Sequence, residues 1–210
     1  FPGELRDAKL QAEKLLAENR CADLARYYLG EQALLRGDPA RARQYLTPHA
    51  SDYDQALRGW LAFLAGDDAE AITCYEAALK LLRQRIGKRK IFFDYLAGLF
   101  FMLALLASGT PARLRQALDL SAPLVEGFGR CSYPITYRLL REVVEIQQGQ
   151  RKQLTPLDPA GRVPAIDHCF HLLALYWMEA ATLETLREPA TTLRDTARNH
   201  GYRWLAGTLA

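Results

Sequence analysis

Two short stretches hold the side chains whose types and spacing could do chemistry. The first is Lys80, Arg83, Arg85, Lys88, Arg89 and Lys90, six cations with no acid in eleven residues. Repeated, sequence-indifferent positive charge is what a phosphate backbone requires of a protein. The same cations placed near a helix C-terminus also complement its dipole. These six residues are therefore the candidate contact surface for nucleic acid, for an acidic partner, or for another domain of the same polypeptide. The second stretch is Asp167, His168, Cys169 and His171. Its two histidines lie three apart, so on a helix they share a face and could ligate a metal. No distant Cys–Cys or His–Glu pair completes such a set, and the flanking residues are apolar. A hydrogen-bonded, partly buried histidine is the better account, and neither a metal nor a cofactor is expected.

Other groups have simpler readings. Phe92, Phe93, Tyr95, Phe100 and Phe101 could stack on bases, but their setting among Leu and Met is that of a core. Asp52–Asp54 and Asp67–Asp68 stand where helices begin, and capping accounts for both pairs. No Ser–His–Asp or Cys–His arrangement emerges from the spacings, and no catalytic residue is assigned. The chain is not expected to be an enzyme.

Charge is unevenly placed. Residues 1–79 carry 9 basic and 13 acidic side chains, residues 80–152 carry 13 and 5, and residues 153–210 carry 5 and 6. The middle third thus holds the whole positive excess of a chain whose net charge is only +3. Cys21, Cys74, Cys131 and Cys169 are scattered singly, without a CxxC pair. That usage predicts buried thiols in a reducing compartment, and a cytoplasmic location. The chain opens FPGELRDAK, without Met and without a basic-then-apolar leader, as a piece of a longer polypeptide would.

The elements that must position these groups read as helices throughout. Apolar residues recur at three- and four-residue spacing from Glu4 to Leu79, where Ala, Leu, Arg, Glu and Gln dominate. Leu10, Leu15 and Leu16 mark the inner face of a first helix; Leu24, Tyr27, Tyr28 and Leu34 mark that of a second. Ser51 or Asp52 is expected to cap a helix to Ala65, and Asp67 or Asp68 a longer one to about Arg85. Further helices are expected from Pro111 to about Val125, from Pro134 to about Gln148, from Ala165 to Leu186, and over 189–199. Residues 150–164, with Pro156, Pro159, Gly161 and Pro164, read as a connecting loop. Between the basic residues and Gly109 lies Ile91–Ala107, whose sole charge is Asp94. Its uncharged part, Tyr95–Ala107, spans roughly 20 Å of helix, short of the ~30 Å of a bilayer core. It is expected to be a central helix buried on every side, with no membrane role.

Part of the chain repeats. LGEQALLRGDPARARQYL (29–46) lies over RGWLAFLAGDDAEAITCY (58–75) at an offset of 29 residues, matching Gly30 to Gly59 and Gly37–Asp38 to Gly66–Asp67. GTPARLRQAL (109–118) matches GDPARARQYL (37–46) at seven of ten positions. Small residues at Gly30, Gly59 and Ala71 let helices approach closely, the Gly–Asp turn reverses the chain, and Tyr75 and Leu79 fill the groove toward the next pair. Units that cannot bury their own faces stack into a helical solenoid.

GDDAEAITCYEAAL (66–79) resembles the tetratricopeptide family: Gly59, Ala71, Tyr75 and Ala78 occupy its small-and-large pattern. Gln55 stands where that family has a Trp, no Pro follows Ala78, and the period is not the roughly 34 residues typical of it. The fold expected is an all-α, tetratricopeptide-like solenoid with irregular repeats over 1–149, a loop over 150–164, and C-terminal helices over 165–210 on the same stack. A second resemblance runs from RGWLAFLAGD through LLRQRIGKRKIFF and LAGLFFMLALL to GYRWLA. It is to the helical region upstream of the motor in large bacterial Swi/Snf-type helicases. It implies a non-catalytic accessory domain whose partner is another protein or another domain of the parent chain. A DNA-binding module and a helical ligand sensor are the alternatives.

Overall fold

The structure, a computed structural model, describes residues 2–19, 21–48, 51–87, 96–125, 134–155, 169, 171, 172, 175, 182–199 and 207. Among them every regular element is a helix: α1 (Pro2–Ala17), α2 (Ala22–Leu35), α3 (Pro39–Arg43), α4 (Asp52–Leu64), α5 (Asp68–Ile86), α6 (Leu96–Ser108), α7 (Pro111–Val125), α8 (Pro134–Gln147) and α9 (Leu183–Asn199). The protein is all-α over these residues.

The repeated Gly–Asp pair builds the same turn twice. Gly37 and Gly66 end α2 and α4 in the left-handed region, at φ +77° and +78°, where a side chain is strained. The following aspartate then does two things. Its backbone N–H reaches five residues back, Asp38 to the Ala33 carbonyl at 2.9 Å and Asp67 to that of Ala62 at 3.0 Å, closing a Schellman motif. Its carboxylate caps the next helix, Asp38 accepting from the Arg41 N–H and Asp67 from the Glu70 N–H. Pro39 tolerates the first turn of α3 because its missing N–H would have had no helical partner. Ser51, not Asp52, caps α4 by accepting from the Asp54 N–H at 3.1 Å.

Packing follows chain order. α1 lies on α2; α2 on α3 and α4; α4 on α5 and α6; α5 on α6; α6 on α7 and α8; and α7 on α8. Thus α2, α4 and α6 each pack on the next even-numbered helix. One large apolar cluster runs from Tyr27 in α2 to Val144 in α8 and takes in Cys169 and Ala197. A small second cluster, Ala12 with Ala25 and Leu29, joins α1 to α2.

At the centre lies α6, buried without interruption from Leu96 to Leu106. It was expected to be apolar on every side, and is enclosed by α4, α5, α7 and α8. Phe100 stacks on Trp60 with centroids 4.3 Å apart, and Phe101 stacks on Tyr75 at 5.2 Å. These rings are core, as their setting predicted; Phe92, Phe93 and Tyr95 lie outside the described residues. Among the described residues no helix is long and apolar enough to cross a membrane.

The aligned glycines serve different seams. A Cβ on Gly59 would stand 2.9 Å from the Tyr75 ring, so this glycine sets the α4–α5 distance. A Cβ on Gly30 would stand 2.5 Å from a Leu57 methyl, so that one sets the α2–α4 distance. Tyr75 and Ala71 are fully buried in the seam the repeat anticipates.

Several expectations need correction. Leu10 is 54 % exposed, while Ala12 is buried against Ala25 and Leu29 with Leu15 and Leu16 packed beside them, as expected of those two. Tyr28 is 44 % exposed, turned away from the core that holds its neighbour Tyr27. The last helix starts at Leu183, not 189: Thr182 accepts from the Thr185 N–H at its start, and Pro189 sits inside it. The loop after α8 begins tethered, since buried Glu142 accepts from both the N–H and the hydroxyl of Thr155 at 2.7 Å. Arg151 donates to Glu145 in the same knot. Finally, Cys74 and Cys169 are buried as expected, but Cys21 is exposed at the start of α2, at φ +47°.

Candidate binding cleft at the end of helix 5

Three of the six predicted cations are described, and all lie on the last turns of α5: Lys80, Arg83 and Arg85, each exposed. Lys88, Arg89 and Lys90 lie outside the described residues. Helical geometry separates the three. Lys80 and Arg83 are three apart and share a face, whereas Arg85 stands roughly 200° around the axis from Arg83. Neither Lys80 nor Arg83 takes part in an ion pair among the described residues.

Arg85 is committed elsewhere. Its Nε and Nη2 donate to the two carboxylate oxygens of Asp52 at 3.1 and 2.7 Å. The Asp52 side chain is only 4 % exposed, so this is a forked pair with one partner buried. The guanidinium carbon also lies 5.1 Å from the centroid of the Tyr53 ring. The hydrogen bond to Asp52 raises the Arg85 pKa well above its ordinary value, outweighing the opposing effect of burial. Arg85, one of the six cations of the candidate contact surface, is thus exposed and also ties α5 to α4.

Asp54 likewise does more than open a helix. Its carboxylate accepts from the Thr47 N–H, the Thr47 hydroxyl and the Ser51 hydroxyl, fixing the chain that leads into α4. Capping alone therefore does not account for Asp52 and Asp54. Their roles depend on residues 33 positions later and 7 earlier in the chain, which local pattern does not reveal.

Around this tie opens a cleft of about 610 Å³. Its walls are the start of α2 with the preceding Cys21, the start of α4 with Ser51, and the last turns of α5. Ala22, Leu24, Tyr53 and Leu81 give it apolar surface, and Asp23, Asp52, Gln84 and Arg85 its polar groups. Asp23 is partnered by Arg26 at 3.1 Å. With two carboxylates and one guanidinium, the cleft is not an electropositive trough for a phosphate chain. Its size and lining suit a mostly apolar body with a few hydrogen-bonding groups.

The second predicted stretch yields less. His171 and Cys169 are buried, and burial pushes the Cys169 thiol up to about 11. Asp167 and His168 lie outside the described residues. Among the described residues no three or more His, Cys, Asp or Glu side chains come together as a metal site.

Comparison with protein-family models finds no match for the chain, and comparisons with curated proteins and with solved structures find none either.

Proposed function

We propose that the protein is a tetratricopeptide-like helical-repeat domain that works by presenting surface to another protein or to another domain of its own polypeptide. The observation carrying this reading is the packing order: hairpins closed by equivalent Gly–Asp turns, with each even helix laid on the next. The resemblance of its helical strings to the region upstream of Swi/Snf-type motors makes the parent a helicase-related protein. The parent polypeptide tests both parts. A phosphate-binding Gly–Lys–Ser/Thr motor loop downstream supports an accessory role. Cross-links from Lys80 to the motor domain would locate the contact, and a parent lacking any motor would remove the helicase reading.

Direct binding of nucleic acid is the second reading, favoured by the unpaired, exposed Lys80 and Arg83 on one face of α5. It predicts salt-sensitive binding of duplex DNA, weakened at least tenfold by Lys80→Glu with Arg83→Glu. Binding that ignores those substitutions, or none at low salt, rejects it. Ligand sensing rests on the cleft at Tyr53 and Arg85, and thermal-shift screening of metabolites against wild type and Tyr53→Ala tests it.

A further inference from the structure

Glu31 is the anomaly of the first half of the chain. It lies in the stretch Leu29–Leu35 of α2, where seven consecutive residues are buried. It is itself 8 % exposed, and among the described residues its one hydrogen bond comes from the Tyr27 hydroxyl at 3.0 Å. A carboxylate so placed lacks a counter-charge, and a buried unpaired charge is costly.

The described charged and titratable groups on the elements packed against α2 are paired with other groups or exposed. On α1, Glu13 pairs with Lys9, while Lys14 pairs with Glu18 just beyond the helix. On α3, Arg41 and Arg43 are exposed. On α4, Asp52 is held by Arg85, Asp54 by Thr47 and Ser51, and Arg58 donates to the Thr47 carbonyl. Tyr53 lies between the Tyr27 ring and Arg85. On α2 itself Asp23 is paired with Arg26. Burial accordingly pushes the Glu31 carboxyl up to about 7, and only the Tyr27 hydroxyl opposes it.

We propose that Glu31 is a proton-operated latch: with its carboxyl protonated, α2 lies closed on α1, α3 and α4, and loss of that proton draws water to the carboxylate and loosens α2. The effect reaches the cleft by two contacts. The Tyr27 ring packs on Tyr53 with centroids 5.8 Å apart, and Tyr53 lies beneath Arg85. The start of α2 is itself one wall of the cleft. Release of α2 therefore removes a wall and uncovers Tyr53 together.

The sign follows from linkage. In the closed form the carboxyl keeps its proton up to about pH 7, while in the open form it titrates near 4.5. Opening releases a proton between those values, so the opening constant rises with pH across that window and levels off above it. The whole rise is roughly two orders of magnitude.

Hydrogen exchange of the full chain, corrected for intrinsic rates, at pH 5, 6, 7 and 8 tests this. Protection of α2 in the wild type is expected to fall about 40-fold from pH 5 to 7 and by less than twofold more to pH 8. Glu31→Gln, which keeps the neutral form, is expected to lack that fall. Equal pH dependence in both proteins, or none in the wild type, overturns the proposal. Should Glu31→Gln fail to fold, the carbon-13 titration of the Glu31 carboxyl in the wild type decides. A midpoint near 7 supports the latch and one near 4.5 rejects it.

Discussion

Arg85 grips both oxygens of Asp52 across 33 residues of chain, joining the last turn of α5 to the first turn of α4. The pair lies where the two ends of this helical hairpin meet, so it fixes how the hairpin closes. Arg85→Ala strands a buried carboxylate. Loss of one partner of a buried pair costs about 3–5 kcal/mol, and water reaching the 47 % exposed Arg85 side lowers the expectation to about 2 kcal/mol. Urea melts should show that loss for Arg85→Ala and no more than about 0.5 kcal/mol for Arg83→Ala. Equal effects of the two would mean that the tie contributes nothing.

Gly59→Ala sets two known effects against each other. Alanine gains up to about 1 kcal/mol of helix propensity over glycine. Its Cβ, however, meets Tyr75 ring carbons at 2.9 Å, and that ring is buried and stacked on Phe101. Overpacking of this kind costs about 1–3 kcal/mol. The clash should win, with net destabilisation of about 1 kcal/mol read from the melting midpoint.

Tyr75 and Phe100 should respond in opposite ways. The Tyr75 hydroxyl is buried with no hydrogen-bond partner among the described residues, so Tyr75→Phe keeps the shape and removes an unsatisfied group. Stability is expected to stay level or rise by about 1 kcal/mol. Phe100, fully buried between Trp60 and Phe63, has no such freedom. Phe100→Ala should cost about 3–5 kcal/mol, and Phe100→Asp should abolish the cooperative melt. A folded Phe100→Asp protein would remove α6 from the centre of the core.

Thiol labelling separates the cysteines. Burial pushes the Cys74 and Cys169 thiols up to about 11, whereas Cys21 is exposed. In a Cys131→Ser background at pH 7, one thiol should react with a disulfide reagent within minutes, and Cys21→Ser should abolish that reaction. Raising the pH toward 9 should leave Cys74 and Cys169 largely protonated and slow. Three fast thiols would contradict the burial of the core around them.

The all-α character, the hairpin turns and the buried central helix were legible in the sequence because each is a local signal. Gly37–Asp38 and Gly66–Asp67 carry their turn in two residues, since only the glycine accepts positive φ and the next aspartate closes the turn and caps the helix. Leu96–Leu106 declares its burial through composition alone. Of the candidate contact residues, Lys80, Arg83 and Arg85 are all exposed on the last turns of α5, and the tie of Arg85 to Asp52 was not legible.

What tertiary structure alone decided is every assignment that depends on which helix lies opposite. Gly30 and Gly59 occupy equal places in the repeat, yet one receives Leu57 and the other Tyr75. Leu10 and Tyr28 obey the helical period and still face outward, because α1 meets α2 through Ala12, Leu15 and Leu16 and Tyr27 holds the inner position. Asp52 finds Arg85 only once α4 and α5 are folded back on each other. Periodicity within a helix states which residues share a face; the partner across the seam is fixed by long-range packing, and here that packing ties Arg85 to the buried carboxylate of Asp52.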